Sequence, residues 1–155
     1  MKRLACVLVI VLGVVPLVSA VAETDSRRVT GSGVGVVAPG PAVYGVALNG
    51  LQLGTGVFIE SDGSATGTFN AVLSGTLLPG QPQEITVDGK VSAGSVGPEG
   101  DATFTGTATV DLGDGTPPLP NVPFSVTAKV DGVVLALDSV TLPAAALPAG
   151  SVTIE

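Results

Sequence analysis

The chain has 155 residues, with 13 acidic and six basic side chains, a net charge of −7, no His and no Trp. Its one cysteine, Cys6, lies near the N-terminus, so beyond the first residues the commonest general base, the thiolate nucleophile and the usual Zn or Cu ligands are all missing. The acidic balance disfavours nucleic acid and anionic membranes, whose binding rests on Lys and Arg contacts.

Lys2 and Arg3 precede an uncharged apolar run from Leu4 to Val15, which Pro16 breaks and small residues follow at Ser19, Ala20 and Ala22. These are the three parts of an export signal. Ala20-Val21-Ala22 places cleavage before Glu23, with Val18-Ser19-Ala20 a second candidate. The run is shorter than the roughly 20 residues a spanning helix needs. Cys6 sits at the start of the run, away from the cut, so a lipid-anchored cysteine is not expected. The expected organisation is a signal peptide over 1–22, a short lead-in over 23–28 and one antiparallel β domain over 29–155. Arg27 and Arg28 read as a solvated lead-in to the first strand. The cleaved protein would lie outside the cytoplasm, in the periplasm, at the cell surface or in the medium, with no membrane span. It would carry no cysteine and be held by its core alone.

Beyond the leader the hydrophobic period is two. The first strand, 29–37, contains Gly31-Ser32-Gly33-Val34-Gly35, which lacks the spacing and the following helix of a phosphate loop. Strands 42–48 and 51–60 flank Asn49-Gly50, a preferred two-residue hairpin turn. Asp62-Gly63 fits a three-residue loop, 61–63, that pairs Ile59 with Ala65, Val57 with Gly67 and Leu51 with Leu73 and requires a left-handed Gly63. Strand 65–77 turns Phe69, Ala71, Leu73 and Leu77 inward and Thr66, Thr68, Asn70, Ser74 and Thr76 outward. Over 84–96 the alternation runs through Asp88-Gly89, which is either a tight turn or a bulge. Glu99 and Asp101 fall in a Pro-Gly turn. Strand 102–112 alternates Phe104, Ala108 and Val110 with Thr103, Thr105, Thr107 and Thr109, one face buried and one wet.

Asp111 and Asp114, three apart in Asp-Leu-Gly-Asp-Gly, are the candidate ligands for a hard cation such as Ca²⁺, against the simpler reading of Asp and Gly closing a strand. The segment 113–123 carries Pro117, Pro118, Pro120 and Pro123 and is expected to be an extended surface strap. Asp131-Gly132 predicts a hairpin between 124–130 and 133–142 in which Val130 faces inward, and a slip in alternation predicts a bulge or bend at Asp138-Ser139. A last strand covers 151–154.

The expected fold is all-β: a single antiparallel β-sandwich or closed β-barrel of about eight to ten strands. Its core is made of small residues anchored by the phenylalanines. Five scattered aromatics cannot form the two girdles of an outer-membrane barrel. No catalytic or cofactor-binding residues are identified, and an enzyme is not expected. The functional expectation is an exported, non-catalytic structural or interaction module, with an edge strand or the 113–123 segment as its contact surface. The alternative is a β-barrel carrying a small apolar ligand, and the least favoured is a carboxylate-based enzyme.

Overall fold

The computed structural model describes residues 26–77 and 80–155; the predicted leader and its cleavage site lie outside them. Nine antiparallel strands form one sheet: β1 (Arg27–Val36), β2 (Val46–Ile59), β3 (Ser64–Leu77), β4 (Gln81–Val96), β5 (Ala102–Asp111), β6 (Leu119–Lys129), β7 (Gly132–Leu137), β8 (Val140–Thr141) and β9 (Ala145–Ile154). Strands β1 to β7 each pair with the next in sequence. β9 then lies between β7 and β1 and pairs with both, so the ladder returns to its starting strand. β8 sits outside this circuit, against the end of β7. All nine strands are thus connected in one sheet.

The apolar parity of each strand faces a common interior. Val29, Val57, Phe69, Leu73, Ile85, Val87, Phe104, Val110, Val126 and Leu137 are all buried, and no polar or charged residue is buried with them among the described residues. Phe69 stacks on Phe124 at 5.6 Å between ring centroids, and Phe104 tilts against Phe69 at 6.1 Å. Gly89 of β4 makes room for this cluster: a Cβ there would lie 2.8 Å from Phe124 Cε1. Asp88-Gly89 is therefore neither a turn nor a bulge. β4 runs straight through it, with Phe69 opposite Gly89, and its irregularity falls between Val91 and Ala93. Phe58 is the exception among the phenylalanines: it faces outward, half exposed, beneath the Arg28 guanidinium at 5.6 Å. Arg27 and Arg28 belong to β1, opposite Ile59 and Phe58, and are not a lead-in.

The loop at 61–63 closes as its sequence predicts. Ile59 pairs with Ala65, Val57 with Gly67 and Leu51 with Leu73, and Gly63 has φ +85°. Asn49-Gly50 does not form a hairpin turn. It is a bulge within β2, where the register against β3 shifts between Leu48 and Gly50. The tight turn lies at Tyr44-Gly45 (φ +48° and +83°), closed by the Val43 and Val46 amides, each donating to the other's carbonyl at 3.0 and 2.9 Å. A bulge and a two-residue turn both switch the inward parity, from Val46 and Leu48 to Leu51 and Leu53, so alternation alone fits either.

The β6–β7 turn also moves. Lys129 pairs with Gly132 and Ala128 with Val133, so the turn is Val130-Asp131, and Val130 is at its tip, 70% exposed, not inward. Gly132 serves a close approach instead: a Cβ on it would lie 2.7 Å from the Ala145 carbonyl of β9. Of the two alternatives at Asp138-Ser139 the chain takes the bend, a tight reversal in which Asp138 has φ +54° and Leu137 pairs back with Val140. The Pro-rich strap is shorter than expected, because residues 119–123 join β6 and pair with β5.

Candidate interaction surface

The candidate cation ligands fall at the end of β5 and in the loop after it. Asp111 Oδ1 accepts the Gly113 amide at 2.8 Å. Asp114 Oδ1 accepts the Thr116 amide at 2.9 Å and the Thr116 hydroxyl at 2.6 Å. These bonds hold the Asp114 carboxyl below its usual pKa. Each carboxylate thus closes its own local turn, and Gln83 Nε2 ties the loop to β4 by donating to the Leu112 carbonyl. Among the described residues no group of three or more His, Cys, Asp or Glu could hold a metal ion together. Gly31, Gly33 and Gly35 lie within β1, beside the backbone of β9. Glu99 and Asp101 sit in a turn closed by Gly97 N–H to Asp101 O at 2.8 Å.

That turn borders a surface cavity of about 710 Å³, with Ile59, Val96 and Ile154 among its apolar lining and Arg27, Glu60 and Ser95 among its polar lining. A smaller one, 410 Å³, separates the turn from the β6–β7 tip at Lys129–Asp131.

The open part of the fold is the seam where the ladder closes. β7 and β9 share only Gly132↔Ala146 and Val133↔Ala145, extended by Leu147 N–H donating to Asp131 O at 3.2 Å. From Pro148 onward β9 pairs with β1 along one edge, and among the described residues no strand pairs with the other. Pro148, Ala149, Gly150, Ser151 and Thr153 are exposed, while Val152 is buried. On the outer face of β1, beside this segment, Val34 and Val36 are 51% and 67% exposed. Val36 pairs with Ala146 and Val34 with Ala149, so the patch continues onto β9 as small apolar side chains.

The sequence pattern marks a strand at 151–154 but not its first half, 145–150. Pro143 and Pro148 punctuate that stretch, and its inward Ala145 and Leu147 are out of phase with the inward Val152, because the register against β1 shifts between Val34 and Val36, so no continuous alternation marked it as one strand. Comparison with known proteins finds no matching family model, and no curated protein or solved structure similar to the chain. The functional reading therefore rests on the geometry.

Proposed function

We propose that the chain is an exported, non-catalytic interaction module whose strands close into a barrel and whose outer surface at the β7–β9–β1 seam engages a protein partner. The observation that carries this reading is the open edge of β9 beside the exposed Val34 and Val36. A strand edge offers backbone donors and acceptors to an added strand, and apolar side chains beside it supply area to bury. The circuit of pairings supports the barrel, and the all-apolar interior leaves recognition to the outside. The signal-like leader supports export. N-terminal sequencing of the mature protein should begin at Glu23. Crosslinking in the native compartment should trap a protein on β1 or β9. Recovery of monomer alone would count decisively against the module.

A second reading, a carrier of a small apolar ligand, has for its site only the 710 Å³ surface cavity, where Ile59, Val96 and Ile154 lie among Arg27, Glu60, Ser61 and Ser95. Native mass spectrometry of the purified protein should then show a bound small molecule, and bare protein would refute it.

A further inference from the structure

Resting on that reading of the seam, we propose that the open edge of β9 joins two copies of this chain, by antiparallel pairing of residues 150–154 around a two-fold axis at Val152. The directions of the backbone groups identify the contact. Arg28 and Glu155 exchange both backbone bonds, at 2.8 and 2.9 Å. Exchanging pairs alternate along an antiparallel ladder with pairs whose groups point away from one another. Thr30↔Thr153 and Ser32↔Ser151 therefore exchange bonds, whereas Gly150, Val152 and Ile154 turn their N–H and C=O groups to the opposite edge. The parity of β1 agrees, since the Val37 amide, an odd position, donates to Asn49 O on the β2 side at 3.1 Å. A second β9 laid antiparallel sets Val152 against Val152 and Gly150 against Ile154, so all three residues gain partners. Pro148, which has no N–H to give, falls outside this stretch.

Charge selects a second copy as the occupant. The exposed side chains of the edge itself are small and uncharged. The Leu147–Asp131 bond fixes the Lys129–Asp131 tip beyond one end of the stretch, and Arg27, Arg28 and Glu155 lie at the other. Two-fold antiparallel pairing brings the Asp131 end of each copy to the Arg27–Arg28 end of its mate, and Lys129 towards Glu155. Each end carries both signs, so the pairing sets no ends of like charge against one another. Of the four basic residues after the leader, only Lys90 lies away from this region, so it is where an otherwise acidic molecule repels its own copy least.

Sedimentation equilibrium of the exported protein should give twice the monomer mass, falling to the monomer on dilution. Hydrogen exchange gives the sharper readout. The amides of Val152 and Ile154 should be protected only in the dimer, whereas those of Ser151 and Thr153, bonded to β1, are protected in both states. Ser151→Lys with Thr153→Lys places like charges directly opposite across the new ladder. This variant should be monomeric and melt as the dilute wild-type monomer does. Monomer at every concentration, a dimer whose Val152 and Ile154 amides exchange as in the monomer, or a dimer that survives the double lysine would each overturn self-association. A monomer that captures a different protein on β9 would overturn it too, and leave the interaction module standing.

Discussion

Among single residues, Phe124 shows how a core poor in aromatics is made specific. Its ring lies on Phe69 and fills the space that Gly89 leaves open. Phe124→Ala should cost about 3–5 kcal/mol in denaturant unfolding. Gly89→Ala, whose methyl would press on the ring, should cost about 1–3 kcal/mol. Together they should cost clearly less than their sum, because the methyl then enters the vacated space; additive losses would show that the two do not share one site. Phe58→Ala removes only an outward ring under Arg28 and should cost about 0.5–1 kcal/mol for that contact, plus the little area it covers. Tyr44, the one tyrosine, offers a titration free of overlap. Burial, and secondly the carboxylate of Asp138, push its phenol above the ordinary value. Asp138→Asn should lower the ultraviolet titration midpoint only part of the way, because the larger cause remains. The Asp114 carboxyl is shifted in the other direction, held down by the Thr116 hydroxyl and amide. A depressed native pKa stabilises the loop above the unfolded value and ceases to do so as pH falls through the native one. Thr116→Val should therefore move the Asp114 carbon titration upward, towards the usual carboxylate value, while the rest of the spectrum stays in place.

For whole elements, what could be read from the sequence was which side chains face inward, and what could not was where the chain reverses. Phe69, Leu73, Phe104, Val110 and Val126 alternate with Thr, Ser and Asn, and all are buried as that pattern requires. Asp62-Gly63 was readable because only one loop length kept Ile59 and Ala65 on the same face. At Asn49-Gly50 the same test had two solutions, and tertiary pairing chose the bulge because β1 needs the whole of β2 as its partner, from Arg27↔Ile59 to Val36↔Gly50. At Asp131-Gly132 the register moved by an even step, which keeps the faces and so leaves no trace in the alternation. The cation candidates Asp111 and Asp114 were visible as residues, but their use in turn closure depends on amide directions that composition does not carry. The bulge makes its own prediction. Deleting Asn49 removes the extra residue and forces either Val46 and Leu48 or Leu51 and Leu53 out of the core, so the variant should lose its cooperative melting transition. A deletion variant with near-native thermal unfolding would mean that the bulge does not set the register.

At the scale of the molecule, stability should be unevenly distributed around the sheet. β2, β3 and β4 are joined by ladders that run almost their full length, from Val46↔Leu77 to Ile59↔Ala65 and on to Leu77↔Gln81. The closing contact between β7 and β9 is limited to Gly132, Val133, Ala145 and Ala146, with one further bond at Leu147. Opening that seam breaks few backbone bonds and exposes little beyond Val133, Ala145 and Leu147, whereas separating β2 from β3 uncovers the Phe69 cluster. Local opening should therefore begin at the seam, and native-state hydrogen exchange should rank the Leu147 amide below the amides of β3. Gly132→Val tests the same point from the packing side. Its Cβ would lie 2.7 Å from the Ala145 carbonyl, and backbone cannot retreat as a flexible side chain can, so β9 must shift away from β7. The variant should lose about 1–3 kcal/mol, with exchange accelerated in 132–137 and 145–147 and little changed in β2–β4. If exchange rises equally in all strands, the sheet opens as one cooperative unit and the seam is not its weak point. If only the seam responds, the open edge of β9 lies next to the segment the molecule can most readily loosen.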